Sequence, residues 1–104
     1  MRFPQEVVVQ TFLPTYRALL AEALSEHDLA QATVARLVGV TQAQVSKYLA
    51  GKVDREPAIV EDPRVQATVA RVASALAGGE MDEVDALGES LALIRRLQNR
   101  GPLA

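Results

Sequence analysis

The chain is 104 residues long, enough for one modest core, and 49% of it is hydrophobic with only two Phe, two Tyr and no Trp. A core of Ala, Leu and Val of this kind is built from helices, and the absence of Cys excludes disulfides, thiolate metal sites and a Cys nucleophile. The net charge of −2 is uneven: Arg36, Lys47, Lys52 and Arg55 outnumber Asp28 and Asp54 in residues 28–55, while residues 56–104 set five Arg against eight acids.

The chain opens with Phe3-Pro4, a proline suited to the first turn of a helix. Val7, Val8, Val9, Phe12 and Leu13 follow, and Pro14 predicts a kink or a restart there. From Thr15 to about Glu26 the spacing of Tyr16, Leu19, Leu20, Ala23 and Leu24 is helical. His27, the one histidine, stands between Glu26 and Asp28 and reads as a solvated residue at a helix end rather than a metal ligand.

Residues 31–50 carry the strongest signal. Two short helices, at about 29–38 and 42–50, are predicted on either side of Gly39, which suits the left-handed residue that ends a helix. Ala35 falls where crossing helices approach closely, and Val45 lies six residues beyond Gly39 on the inner face of the second helix. Val34, Leu37, Val38, Val40, Tyr48 and Leu49 complete the expected small core, and Thr41 caps the second helix. In register, these spacings describe a helix-turn-helix, whose second helix enters the DNA major groove.

On a wheel of 100° per residue, Ala43, Ser46, Lys47 and Ala50 point away from Val45, with Gln42 and Gln44 flanking the first turn. Gln42 is the best candidate base reader, because its amide donates to and accepts from adenine together. Ala43 suits a thymine methyl, Ser46 a base or a phosphate, and Lys47 a guanine or a phosphate. Gln44 has two uses, a base contact or the second arm of the capping box Thr41-x-x-Gln44. Gln31 lies beside the backbone, either touching phosphate or bracing Gln42. Lys52 and Arg55 are phosphate candidates or plain solvated charge. The positive balance of 28–55 fits a phosphate-facing surface, although ordinary scatter of surface charge produces the same pattern.

Gly51 closes the second motif helix, and residues 52–61 read as a polar connector containing Pro57. Asp62-Pro63 predicts a cap and first-turn proline for a helix to about Ala77, with Val65, Val69, Val72 and Leu76 on one face. Gly78-Gly79 ends it. A last helix is expected from about Asp82 to Arg100, stopped by Gly101-Pro102, and its acidic start (Glu80, Asp82, Glu83, Asp85) suits the helix dipole better than a cation site. Val84, Leu87, Leu91 and Ile94 step by heptad spacing, with Leu97 on a second edge. That seam predicts a homodimer interface, the alternatives being packing on the 63–77 helix or a dimer built through Val7, Val9 and Phe12.

The fold expected is all-α in one unit: residues 1–55 a DNA-binding helix-turn-helix domain, 56–104 a helical extension that dimerises. No apolar run approaches the roughly 18 residues of a membrane span and no leader pattern precedes the body, so a soluble, cytoplasmic chain is expected. No phosphate-binding loop or catalytic constellation argues for an enzyme, and no cofactor is implied.

Gln31, Ala35, Gly39, Val40, Thr41, Gln42, Val45, Ser46, Lys47, Tyr48 and Leu49 together resemble the motif of the lambda-repressor-like helix-turn-helix regulators. More widely, FPQEVVVQTFLPTYRALLAEAL, VSKYLAGKV and EDPRV resemble a family of predicted archaeal transcriptional regulators. In some of its members such a domain precedes a thiamine-phosphate-synthase-like domain; that domain is not in these residues, so ligand sensing does not carry over. Relatives with C-terminal cysteines also differ from this chain. Where relatives carry a Ser or Thr cap, this chain has Ala30, which leaves Asp28 to cap, with Gln31 three residues on. The resemblance implies a transcriptional regulator, most simply a repressor, binding double-stranded DNA as a homodimer. The rival expectation is a dimeric protein-interaction module, adaptor or antitoxin-like, that keeps the fold.

Overall fold

The computed structural model describes residues 5–100, with side chains from 10 to 98, and its backbone is helical in six segments. These are α1 (Gln5–Ser25), α2 (Gln31–Val38), α3 (Gln42–Leu49), α4 (Pro57–Val60), α5 (Pro63–Ala77) and α6 (Glu83–Arg100). Among the described residues there is no strand. The Phe3-Pro4 opening, the Gly101-Pro102 stop and the side chains of Val7, Val8 and Val9 lie outside what is described.

α1 is the hub, touching all five other helices. It runs unbroken through Pro14, where the sequence predicts a kink or restart. A proline inside a helix removes one donor and crowds the preceding turn, at a cost of about 3 kcal/mol. Packing on both sides of the proline offsets that cost. Phe12 and Tyr16 are buried and stack with ring centroids 5.1 Å apart. The Thr15 hydroxyl, also buried, accepts a hydrogen bond from the Glu56 backbone N–H at 2.9 Å.

After α1 the chain reverses through Asp28, whose φ of 62° is left-handed. His27 is exposed there. The cap expected from Asp28 does not form: Ala30 is the N-cap of α2 and no side chain accepts from its first turn. The predicted polar connector contains a helix, α4. Glu56 caps it by accepting from the Ala58 N–H at 3.3 Å, Pro57 occupies its first turn, and Ile59 is fully buried.

α5 begins at its expected cap. The Asp62 carboxylate accepts from the Arg64 N–H at 2.8 Å and pairs with the Arg64 guanidinium at 2.6 Å. The Arg64 hydrogen bond holds the Asp62 carboxyl below the usual carboxylate range. Val65, Val69, Val72 and Leu76 are buried as one face. Each such side chain contributes roughly 1.5–3 kcal/mol relative to exposure, so packing rather than propensity holds the helix. α6 opens with a reciprocal cap: the Asp85 N–H donates to Asp82 at 2.8 Å and the Asp82 N–H donates to Asp85 at 3.3 Å. A single core cluster draws on all six helices, so residues 56–98 complete the core begun by α1 to α3.

Candidate nucleic-acid interface

α2 and α3, eight residues each, are joined by Gly39, Val40 and Thr41. Gly39 adopts φ 85°, and the N–H groups of both Gly39 and Val40 donate to the Ala35 carbonyl, at 2.9 and 3.0 Å. This closure satisfies the end of α2 and turns the chain sharply. Ala35 is buried, as its place at a helix crossing requires. Thr41 is extended (ψ 160°) and its hydroxyl accepts from the Gln44 N–H at 3.1 Å, which starts α3. The return arm of the capping box is not made, and Gln44 is half-buried. A second left-handed glycine, Gly51 at φ 71°, ends α3, with the Lys52 N–H donating back to the Lys47 carbonyl at 3.0 Å.

Val34, Val45 and Tyr48 lock the two helices into the core, while Leu37, Val38 and Val40 are half-buried. Leu49 differs from its expected place in the core. It is 38% exposed, because the inward direction of α3 is centred on Val45 and Tyr48 and the helix stops one residue after Tyr48. Gln42, Ala43, Ser46, Lys47 and Ala50 are exposed together, and Gln31 and Thr41 are exposed nearby. Among the described residues, Gln42, Ser46, Lys47 and Lys52 make no side-chain hydrogen bond or ion pair. Gln31 forms no hydrogen bond to Gln42.

The cations of this region divide into two kinds. Lys47 and Lys52 are exposed and uncommitted. Arg55 is half-buried, donating to Glu22 of α1 at 2.8 Å and to the Tyr48 carbonyl at 2.9 Å, so its guanidinium braces the end of α3. Arg36 leaves α2 for Glu83 of α6 at 2.7 Å. Nothing local in the sequence marks Glu22, which is 33 positions from its partner. The surface offered is therefore polar, with two ammonium groups that have no ion pair among the described residues.

On α6, Val84, Leu87 and Leu91 are 76%, 58% and 54% exposed. Ile94, expected on the same seam, is 7% exposed and packed in the core. The buried face of α6 is centred on Ala86, Ser90, Leu93 and Leu97, and at 100° per residue Ile94 lies about 70° from that centre whereas Leu91 lies roughly 130° from it. Phe12, part of the alternative pairing site, is fully buried, and Val7 and Val9 are not described. Among the described residues no three His, Asp or Glu side chains converge as a metal site would require. No described helix is long and apolar enough to cross a membrane. No family model, curated protein or solved structure matches the chain.

Proposed function

We propose that this chain is a sequence-specific DNA-binding regulator of transcription that places α3 in the major groove and represses by occupying a promoter. The observation that carries the proposal is the outward row of α3. It is anchored from behind by Val45 and Tyr48, capped by Thr41, and offers Gln42, Ala43, Ser46 and Lys47 to solvent with no competing partner among the described residues. A helix held rigidly by its rear face and bearing amide, hydroxyl, ammonium and methyl groups has the chemistry that base edges require. The resemblance of residues 31–49 to the lambda-repressor-like helix-turn-helix regulators supports the same assignment.

In this proposal Gln42 reads a base, Gln31, Lys47 and Lys52 meet phosphates, and Arg55 holds α3 in place rather than touching DNA. The exposed row Val84, Leu87 and Leu91 pairs two chains, setting two α3 helices about one DNA turn, roughly 34 Å, apart. That row, together with the exposed Leu49, also fits the rival function of binding a protein partner.

Selection of bound duplexes from a random pool, followed by affinity against salt, tests the assignment. Binding is expected to weaken with salt, with a log–log slope of about 0.9 per phosphate contact. Gln42→Ala is expected to relax preference at one base position at a cost of about 1–3 kcal/mol. No enrichment, with a slope near zero, favours the protein-interaction role.

A further inference from the structure

Gly88 lies in the middle of α6, where glycine is a poor helix residue, and nothing among the described residues asks for it. Its φ is not left-handed, and a Cβ built there meets nothing within 4 Å. It borders the exposed row Val84, Leu87 and Leu91. Ala92, one turn later, is small and exposed, and Arg95 continues the face with no ion pair among the described residues. Large and small side chains thus alternate along a face that no other helix covers among the described residues.

Those sizes are self-complementary in one orientation. If two copies of α6 cross antiparallel about a point between residues 89 and 90, Leu91 of each meets Gly88 of the other. Val84 then meets the aliphatic stem of Arg95, whose guanidinium can stay in water. In a parallel pair each residue faces itself, so Gly88 opposes Gly88 and leaves a void while Leu91 opposes Leu91. Charge agrees with the antiparallel choice. Glu83 and Glu89 are already paired with Arg36 and Arg71 of their own chain, but Asp85 and Arg95 are exposed with no ion pair among the described residues, and they approach each other across the pair only when the partner is reversed.

We propose that a second copy of this chain docks antiparallel on α6, with Leu91 of each subunit seated over Gly88 of the other. Resting on the pairing role of α6 given above, this fixes the orientation and the residues that meet. A single helix pair falls near or below the lower end of specific interfaces, about 1,200 Å². The dimer is therefore concentration-dependent, and a ligand that engages both subunits tightens it.

The chain has no native cysteine, so disulfide mapping is clean. Val84→Cys and Arg95→Cys chains, differing in tag mass, are oxidised alone and mixed, without DNA, with Ser74→Cys on exposed α5 as the background. Antiparallel pairing predicts that the mixture links Val84→Cys to Arg95→Cys well above background. Val84→Cys alone links poorly, because its two copies stand about 16 Å apart along the axis. Efficient self-linking of Val84→Cys overturns the orientation while leaving pairing through α6 intact. Linking at background in every combination, with a monomer in sedimentation, overturns the pairing itself. Gly88→Leu adds a readout that an isolated helix would not give: helicity and thermal midpoint rise, while dimer affinity falls at least tenfold because the recess for Leu91 is filled. Undiminished affinity in that variant removes Gly88 from the interface.

Discussion

Arg55 and Glu22, 33 positions apart, form a part-buried ion pair at 2.8 Å that ties the segment after α3 to α1. The same guanidinium donates at 2.9 Å to the Tyr48 carbonyl, which also accepts from the Gly51 N–H at 3.1 Å, so one side chain secures the end of α3 to the hub of the fold. Arg55→Ala is expected to lower stability by about 1.5–3 kcal/mol, the range for hydrogen bonds to charged groups, and to leave the salt slope of DNA binding nearly unchanged. Lys47→Ala is expected to do the reverse, reducing the slope by about 0.9 with little effect on denaturant unfolding. Paired denaturation and salt titrations of the two variants check this. A reduced slope for Arg55→Ala would return that residue to the phosphate contacts.

The Tyr16 phenol is buried, and its Oη has no hydrogen-bond partner among the described residues. Burial pushes its pKa from 10.0 up to about 12, with Glu89 adding to the shift and Arg71 opposing it. The folded state therefore favours the neutral phenol. Its contribution is fully present below pH 10 and is lost as pH rises toward 12, where the unfolded chain ionises first. The loss attributable to this group is roughly 2–3 kcal/mol. Tyr16→Phe removes an unpartnered buried hydroxyl, so at pH 7 it should be neutral or stabilising by up to about 1 kcal/mol. Its unfolding midpoint should also decline less than that of the parent between pH 10 and 12. Destabilisation at pH 7 would mean that the hydroxyl has a partner.

At Gly39 the cost of a side chain is conformational alone. A Cβ there meets nothing within 4 Å, yet φ is 85°. Gly39→Ala should therefore cost about 1–2 kcal/mol through the left-handed backbone, and Gly39→Asn less. Chemical denaturation of the two variants measures the difference, and equal losses would point to a steric clash rather than to backbone strain.

Leu91→Glu sets a carboxylate on a side chain that is 54% exposed in the single subunit. Helical circular dichroism should persist, since the core does not depend on this residue. Sedimentation should show a monomer, and affinity for a two-fold site should fall to that of a half-site. Unfolding of the variant would instead place Leu91 in the core of its own chain.

The local signals in the sequence were enough to determine where most helices begin and end. Asp62-Pro63 starts α5, Thr41 starts α3, and Gly39 and Gly51 end α2 and α3, because a cap or a left-handed turn is settled within about four residues by hydrogen bonds and backbone sterics. Periodicity likewise marked the buried faces of α3 and α5 through Val45 and Tyr48, and through Val65 to Leu76. Other features depended on how the helices dock. Pro14 is carried inside α1 because Phe12, Thr15 and Tyr16 are buried on either side of it, and α4 exists because Ile59 has a hole to fill. Arg55 became a brace because docking brought Glu22 within reach. The apolar arc of α6 is wider than the one face a single neighbour can cover. Only the positions of α5, α1 and α2 decide that Ile94 goes in while Val84, Leu87 and Leu91 stay out, since burial is shared among helices and no local spacing records which of them arrives.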